Sequence, residues 1–184
     1  MQRGQAERLI PVLIELLTEA DAEMPDLTRI GVGTGPGNFT GIRISVSAAR
    51  GLALALGVPA MGVSTLRAAA FGRNLPVVAA AAAPRGMFYA QRFDPAGHPP
   101  VDPVLLDATE LAEITQSTPI ASYDAQALSR VGLDHRHRTP TYPLADAIAL
   151  IAARAPADTP PPAPLYVKPA DAAPPRDAPP VMLS

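Results

Sequence analysis

The sequence predicts an α/β fold, and two stretches carry that expectation. From Arg29 to Leu66 the chain reads RIGVGTGPGNFTGIRISVSAARGLALALGVPAMGVSTL, a strand, a glycine-rich loop, a helix and a second strand. A strand–helix–strand of this length implies a parallel βαβ unit with a right-handed crossover. Farther on, Val77 to Ala82 and Gly86 to Phe93 flank Pro84-Arg85-Gly86 and read as an antiparallel hairpin that opens a second lobe. Hydrophobic residues make up 48% of the 184, enough for a core.

The elements follow in order. Met1 to Gln5 is a loose lead-in. From Ala6 to Ala22 the spacing predicts a helix with Leu9, Val12, Leu13, Leu16 and Ala20 on one face. Ile10, Ile14 and Leu17 widen its apolar surface, and Pro11 is placed near its start, where a missing N–H matters little. Arg29 to Gly33 is the first strand. Pro36-Gly37 sets a tight turn, Thr40 is expected to cap the next helix, and Gly57 with Pro59 ends it. That helix, Ile42 to Leu56, has two apolar faces. Ile42, Val46, Ala49, Ala53 and Leu56 form one, and Ile44, Ala48, Gly51 and Ala55 form a second of mostly small residues. A helix apolar on most of its surface is buried on most of its surface. One face can lie on the sheet, and the other can admit a helix of the same domain or of a partner chain.

Ala60 to Val63 is the next strand. Ser64 caps a short helix from Thr65 to Gly72, and the second lobe begins near Leu75. Pro76 and Pro84 bracket the alanine run too tightly for a helix. Asp94 to Asp102 is a loop and Val104 to Leu106 a strand. Thr109 is expected to cap a helix from Glu110 to Gln116, before a short strand from Pro119 to Ser122. Ala125 to Val131 is a helical turn or two ended by Gly132. Leu144 to Arg154 is the last helix, with Leu144, Ile148 and Ile151 on one face. Pro156 to Pro164 is a proline-rich connector, Leu165 to Lys168 a short strand, and Pro169 to Ser184 an extended tail. The division is 1–74 for the first lobe, 75–168 for the second and 169–184 for the tail.

Several functions are disfavoured. A net charge of −2 leaves no electrostatic footprint for direct nucleic-acid binding. The absence of cysteine excludes disulfides and thiolate metal sites and suits a reducing compartment. No signal peptide and no apolar run of transmembrane length is read, so no membrane partner is expected. The Gly35–Gly41 loop precedes a helix N-terminus, a place suited to anions. It lacks the Gly-Lys-Ser/Thr of a P-loop, and Asn38 stands where GxGxxG needs its third glycine. A tight strand-to-helix turn is the simpler reading. His98, and His135 with His137 in DHRHR, are the metal candidates, the pair reading better as a solvated basic turn. No Gly-x-Ser-x-Gly elbow is present, and the carboxylates of Asp107, Glu110 and Glu113 are explained by a helix start.

The string Gly35, Pro36, Gly37, Asn38, Phe39, Thr40, Gly41, Ile42 and Arg43 resembles, residue by residue, the signature of the TsaB (YeaZ-like) family. Weaker similarity extends through RGQAERLIPVLIELLTEA and APLYVKPADAA. The resemblance implies a two-lobed actin-like, RNase H-like (ASKHA) α/β architecture, here with an incomplete first lobe. Family members open with strands bearing an Asp-Thr-Ser type segment. This sequence begins at the following helix, so an N-terminal truncation is expected, with the edge of the Arg29 strand left bare.

The implied function is a non-catalytic, cytoplasmic scaffold of the complex that adds threonylcarbamoyl to the adenosine beside the tRNA anticodon. The implied partners are a catalytic TsaD-like subunit and a TsaE-like ATPase, with tRNA contacted only indirectly and a homodimer in isolation. The interface expected from the two helices is Leu9, Leu13, Leu16, Ala20, Ile44, Ala48, Gly51 and Ala55. No cofactor of its own is implied, while ATP or ADP can enter the assembled complex. Catalytic relatives carry a His-x-x-x-His metal pair where Thr65 and Ala69 stand here. Ala82 and Met87 replace a customary Asp and Glu at the hairpin turn. The rivals are an ATP-binding or glycoprotease-like enzyme of the same superfold, and a non-functional truncated fragment.

Overall fold

In the segment IGVG the two branched side chains alternate with two glycines, and that alternation decides how the first sheet is packed. The computed structural model describes residues 5–74, 76–94, 101–156 and 158–167. Strand β1 (Ile30–Gly33) pairs in parallel with β2 (Ala60–Val63), Ile30 opposite Ala60 and Gly33 opposite Val63. The helix between them, α2 (Phe39–Leu56), is the expected crossover. Val32 packs with Val46 and Ala49, with Ile30 and Ile42 at the margin, so α2 covers that face. The glycines face the other way. A Cβ at Gly31 would lie 2.9 Å from the Cβ of Ala152 and 3.2 Å from the carbonyl oxygen of Ile148.

Both of those residues belong to the last helix, α6 (Leu144–Ala153), which lies directly on the glycine side of β1. Met61 and Val63 of β2 pack there with Ala147, Ile151 and Ala152. Arg29 secures the end of α6. Its Nη1 donates to the carbonyl of Ala152 at 3.0 Å, which also accepts from the Ala155 N–H, and to the carbonyl of Ala155 just beyond the helix. Although 144–153 falls within the 75–168 segment of the sequence division, this helix is built onto the first sheet.

The second sheet has five strands in the order β5-β4-β3-β6-β7. These are β3 (Val77–Ala82), β4 (Phe88–Phe93), β5 (Val104–Leu106), β6 (Ile120–Ala121) and β7 (His137–Arg138). The expected hairpin is present, with Val77 opposite Phe93 and Ala82 opposite Phe88. Strand β3 reads as an unbroken apolar run because both of its faces are covered. Val78 and Ala80 meet Leu111 of α4 (Ala108–Ile114) and Leu128 of α5 (Ala125–Arg130). Val77 and Ala79 meet Leu66 and Ala69 of α3 (Thr65–Ala70). Ala68, on the other side of α3, packs into the α6 cluster, so this short helix joins the two sheets.

Several local expectations are corrected. The caps move by two residues. Asn38, not Thr40, caps α2, accepting from the N–H of Thr40 and Gly41. Asp107, not Thr109, caps α4 in a reciprocal box with Glu110. Each pair offers two oxygen-bearing side chains close together, and only the first stands ahead of the free amides and can reach forward to them. Helix α1 (Gln5–Glu19) carries Pro11 in its interior, where proline removes the donor owed to the carbonyl four residues back. On α6 the buried residues are Ala147, Ile151 and Ala152, whereas Leu144 is exposed. Contrary to expectation, α2, at 18 residues, is long and apolar enough by length and composition alone to cross a membrane. Its position as a crossover against β1 and β2 supplies a local reason for its apolarity. Gly57, at φ 67°, ends it as expected. The lead-in at 1–4, Leu75, His98, Lys168 and the tail at 169–184 lie outside the described residues.

Tyr123 pins α3 to the segment before α6. Its hydroxyl reaches the carbonyls of Tyr142 (3.0 Å) and Ala68 (3.3 Å). Burial raises its pKa above the ordinary 10.0, and the Asp146 carboxylate adds to the effect. The folded chain therefore holds this proton to higher pH than the unfolded chain does. The stability tied to it is complete below the unfolded value of about 10 and is lost as pH rises through the folded value. Tyr123→Phe is expected to flatten the alkaline loss of stability in thermal melts. An unchanged alkaline limb would show that this hydroxyl is not coupled to folding.

Candidate partner interface

The motif string divides between a turn and a helix. Thr34, Gly35 and Pro36 are buried, whereas Gly37, Asn38, Phe39 and Thr40 are exposed. Gly35 has φ +90°, and a Cβ there would come within 2.5 Å of Cδ1 of Ile42, so this position requires glycine. Its carbonyl accepts from the N–H of Thr65 at 2.7 Å, which ties the turn to the start of α3. Phe39, Thr40, Gly41, Ile42 and Arg43 already belong to α2. Three of the amides at the start of α2 are in use. Thr40 and Gly41 donate to the Asn38 side chain, and Ile42 donates to the Asn38 carbonyl.

Arg43 is held in an aromatic setting. Its guanidinium carbon lies 3.8 Å from the Phe39 ring centroid, and its Nε donates to the Tyr166 hydroxyl at 3.1 Å. The Phe39 and Tyr166 rings are 4.9 Å apart. Tyr166 is brought there by the returning segment 158–167, whose Leu165 N–H donates to the Thr34 carbonyl at 2.9 Å. Sequence reasoning missed Tyr166, because a lone tyrosine in a proline-rich stretch has no periodicity to place it.

The two faces read on α2 have different fates. Val46, Ala49 and Ala53 of the first face are buried. On the second, Ile44 and Ala48 are half-buried, and Gly51 and Ala55 are exposed. No atom lies within 4 Å of where a Gly51 Cβ would stand. Beside it Leu54 is 86% exposed, a residue the sequence stripe omitted although it lies three positions from Gly51. On α1, Leu9 and Leu13 are half-buried, whereas Ala20, just beyond its end, is exposed. Leu16 is 54% exposed and Ile14 is 51% exposed. None of the described α1 side chains is fully buried.

The histidines do not converge. Nδ1 of His135 is 3.1 Å from the Gly132 carbonyl, and Nε2 of His137 is 2.9 Å from that of Ser122. Among the described residues no group of three or more His, Cys, Asp or Glu could hold a metal ion. A cleft of about 440 Å³ lies between the sheets, with Thr34, Ser64, Arg67, Gln91, Asp102 and Pro162 on its walls.

Comparison with known proteins places this architecture. A family model described as TsaD, tRNA N6-adenosine threonylcarbamoyltransferase, matches residues 1–148. The tRNA threonylcarbamoyladenosine biosynthesis protein TsaB of Escherichia coli is 40% identical over 70 residues, 38% of this chain and 30% of that protein. The protein of the same name from Bacillus subtilis is 39% identical over 75 residues, 40% of this chain and 33% of that one. The chain thus spans about a third of the length of the curated relatives it matches. A crystal structure of an uncharacterized protein with similarity to peptidase YEAZ from Pseudomonas aeruginosa superposes with a TM-score of 0.62 at 24% identity. That match covers 90% of this chain and 85% of the other. The fold is the two-lobed actin-like, RNase H-like α/β type, with two strands in the first sheet among the described residues. The chain belongs to the family that the TsaD model describes, as a TsaB/YeaZ-like member of it.

Proposed function

We propose that this chain is a non-catalytic scaffold subunit in the making of threonylcarbamoyladenosine on tRNA. It docks through α1 and α2 onto a TsaD-like catalytic subunit, and a TsaE-like ATPase completes the assembly. The tRNA meets the catalytic subunit, and ATP or ADP enters only with the assembled complex. The setting is the cytoplasm, and a homodimer through the same helices is the resting state. The observation that carries this reading is the unpartnered apolar surface of the two helices, with Ile14, Leu16 and Leu54 all exposed. Large apolar side chains left exposed on a helix mark a surface available for association. The names of the matched relatives supply the pathway.

The test is co-purification of the chain as written with the TsaD-like protein of the same organism. A stoichiometric complex is expected. No complex, with or without an upstream extension of the chain, would overturn the docking reading. The cleft beside Arg67 favours one rival, nucleotide binding by the isolated chain. Titration with ATP is expected to give no saturable heat, and saturation would move the function to that cleft.

A further inference from the structure

The cleft between the sheets has one wall that belongs to neither of them. Every residue from Thr159 to Leu165 lines it. Prolines stand at 160, 161, 162 and 164, so this wall is stiff and short of backbone donors. Among the described residues its hydrogen bonds lie only at its two ends. At the first, the N–H and the hydroxyl of Thr159 donate to the Pro156 carbonyl at 3.3 and 2.6 Å, in a turn that follows α6. At the second, the Leu165 N–H donates to the Thr34 carbonyl, and the Tyr166 hydroxyl accepts from Nε of Arg43. Between the ends the segment rests by shape. Pro162 is buried, and a Cβ at Gly62 would come within 3.3 Å of its Cβ.

The second attachment faces outward. Tyr166 is 46% exposed, Phe39 is 40% exposed and Arg43 is exposed. Ring and guanidinium contacts at exposed positions are individually weak, so this end can open without the rest of the chain unfolding. The first end follows α6, which is seated on the first sheet. Release at Tyr166 therefore swings a stiff segment about 156–159. Thr34, which lies on the cleft side of the segment, is buried while the segment stays down.

We propose that 158–167 is a strap that closes the cleft, and that Phe39 and Arg43 of the motif string, acting through Tyr166, are its latch. The exposed half of the string then has a task within this chain. Phe39 carries the Tyr166 ring, and Arg43 holds its hydroxyl. Whatever enters the cleft past the strap must displace it, and whatever draws Arg43 away from outside releases it. This stands independently of the docking reading.

The test is thiol labelling of Thr34→Cys in the full chain, which has no cysteine of its own, together with hydrogen exchange at the Leu165 amide followed by NMR. The substitution keeps the carbonyl that Leu165 uses. Adding Tyr166→Ala is expected to speed both rates by about tenfold or more. Tyr166→Phe, which keeps the ring, and Arg43→Gln are expected to speed them by less. Arg50→Gln removes a charge from the same helix away from the latch and is expected to change neither. Thermal melts separate release of the strap from global unfolding, and the melting temperature is expected to stay near that of the parent. Unchanged rates for Tyr166→Ala overturn the inference. So does labelling of Thr34→Cys in the otherwise unaltered chain as fast as a free thiol. Faster exchange at Leu165 with unchanged labelling of Thr34→Cys also overturns it, because the segment would then be fastened there without closing the cleft.

Discussion

Gly31→Val is expected to lower the melting temperature by about 10 °C and to release α6 from the first sheet. The reason is steric. The first added carbon alone would stand 2.9 Å from Ala152 and 3.2 Å from the Ile148 carbonyl, and a backbone atom cannot rotate away. Overpacking of this kind destabilises by roughly 1–3 kcal/mol and at times more. At about 2–4 °C per kcal/mol for a chain of this size, the upper end gives the stated shift. Withdrawal of α6 would also uncover Met61 and Val63 and break the hydrogen bonds from Arg29 to the carbonyls of Ala152 and Ala155. Proteolysis should then cut within 144–153 before it cuts elsewhere. Gly37→Ala is the control, because a Cβ there meets nothing closer than 4.0 Å. If the Gly31→Val protein melts like the parent, α6 is not seated on β1.

The contrast between those two glycines shows what a single sequence can and cannot disclose. The βαβ unit and the hairpin were legible because their signals are local: an apolar run, a turn pair, a 3.6-residue period, a glycine at Gly57. The place of α6 was not. Its apolar face says that it is buried, but the sheet it covers is fixed by Gly31 and Gly33, more than a hundred residues earlier. Nothing in the local sequence of the first strand marks those glycines as the seat of a helix. The capping errors have the same origin on a smaller scale, since Asn38 and Thr40 carry the same kind of acceptor and only backbone geometry selects between them.

The candidate site was half legible. The small-residue stripe through Gly51 is a pattern, and the structure leaves the Gly51 and Ala55 end of it exposed. Arg50 belongs to neither apolar face and so escaped the pattern, and Leu54 fell off the stripe by one position. Tyr166 had no pattern at all, and its role at Arg43 exists only because 158–167 folds back over Thr34.

Gly51→Glu is expected to abolish partner binding while leaving the fold intact. Nothing within 4 Å opposes a side chain at this position in the isolated chain, and the residue is exposed, so the charge stays hydrated. In a complex that closes over this face the carboxylate would be buried without a partner. Uncompensated burial of a charge is worth about 3–5 kcal/mol, or roughly a hundredfold to several thousandfold in affinity. Gly51→Ala separates charge from shape. It adds one methyl, keeps the face apolar, and should raise helix stability by about 0.5–1 kcal/mol. Retained binding by the Ala variant with loss by the Glu variant fixes this face as the contact. Equal, undiminished binding by both would move the contact off α2 and leave α1, through Ile14 and Leu16, as the docking helix. In that event the open small-residue face would have to be explained by its crossover between β1 and β2 alone, and Leu54 would stand in water without a reason.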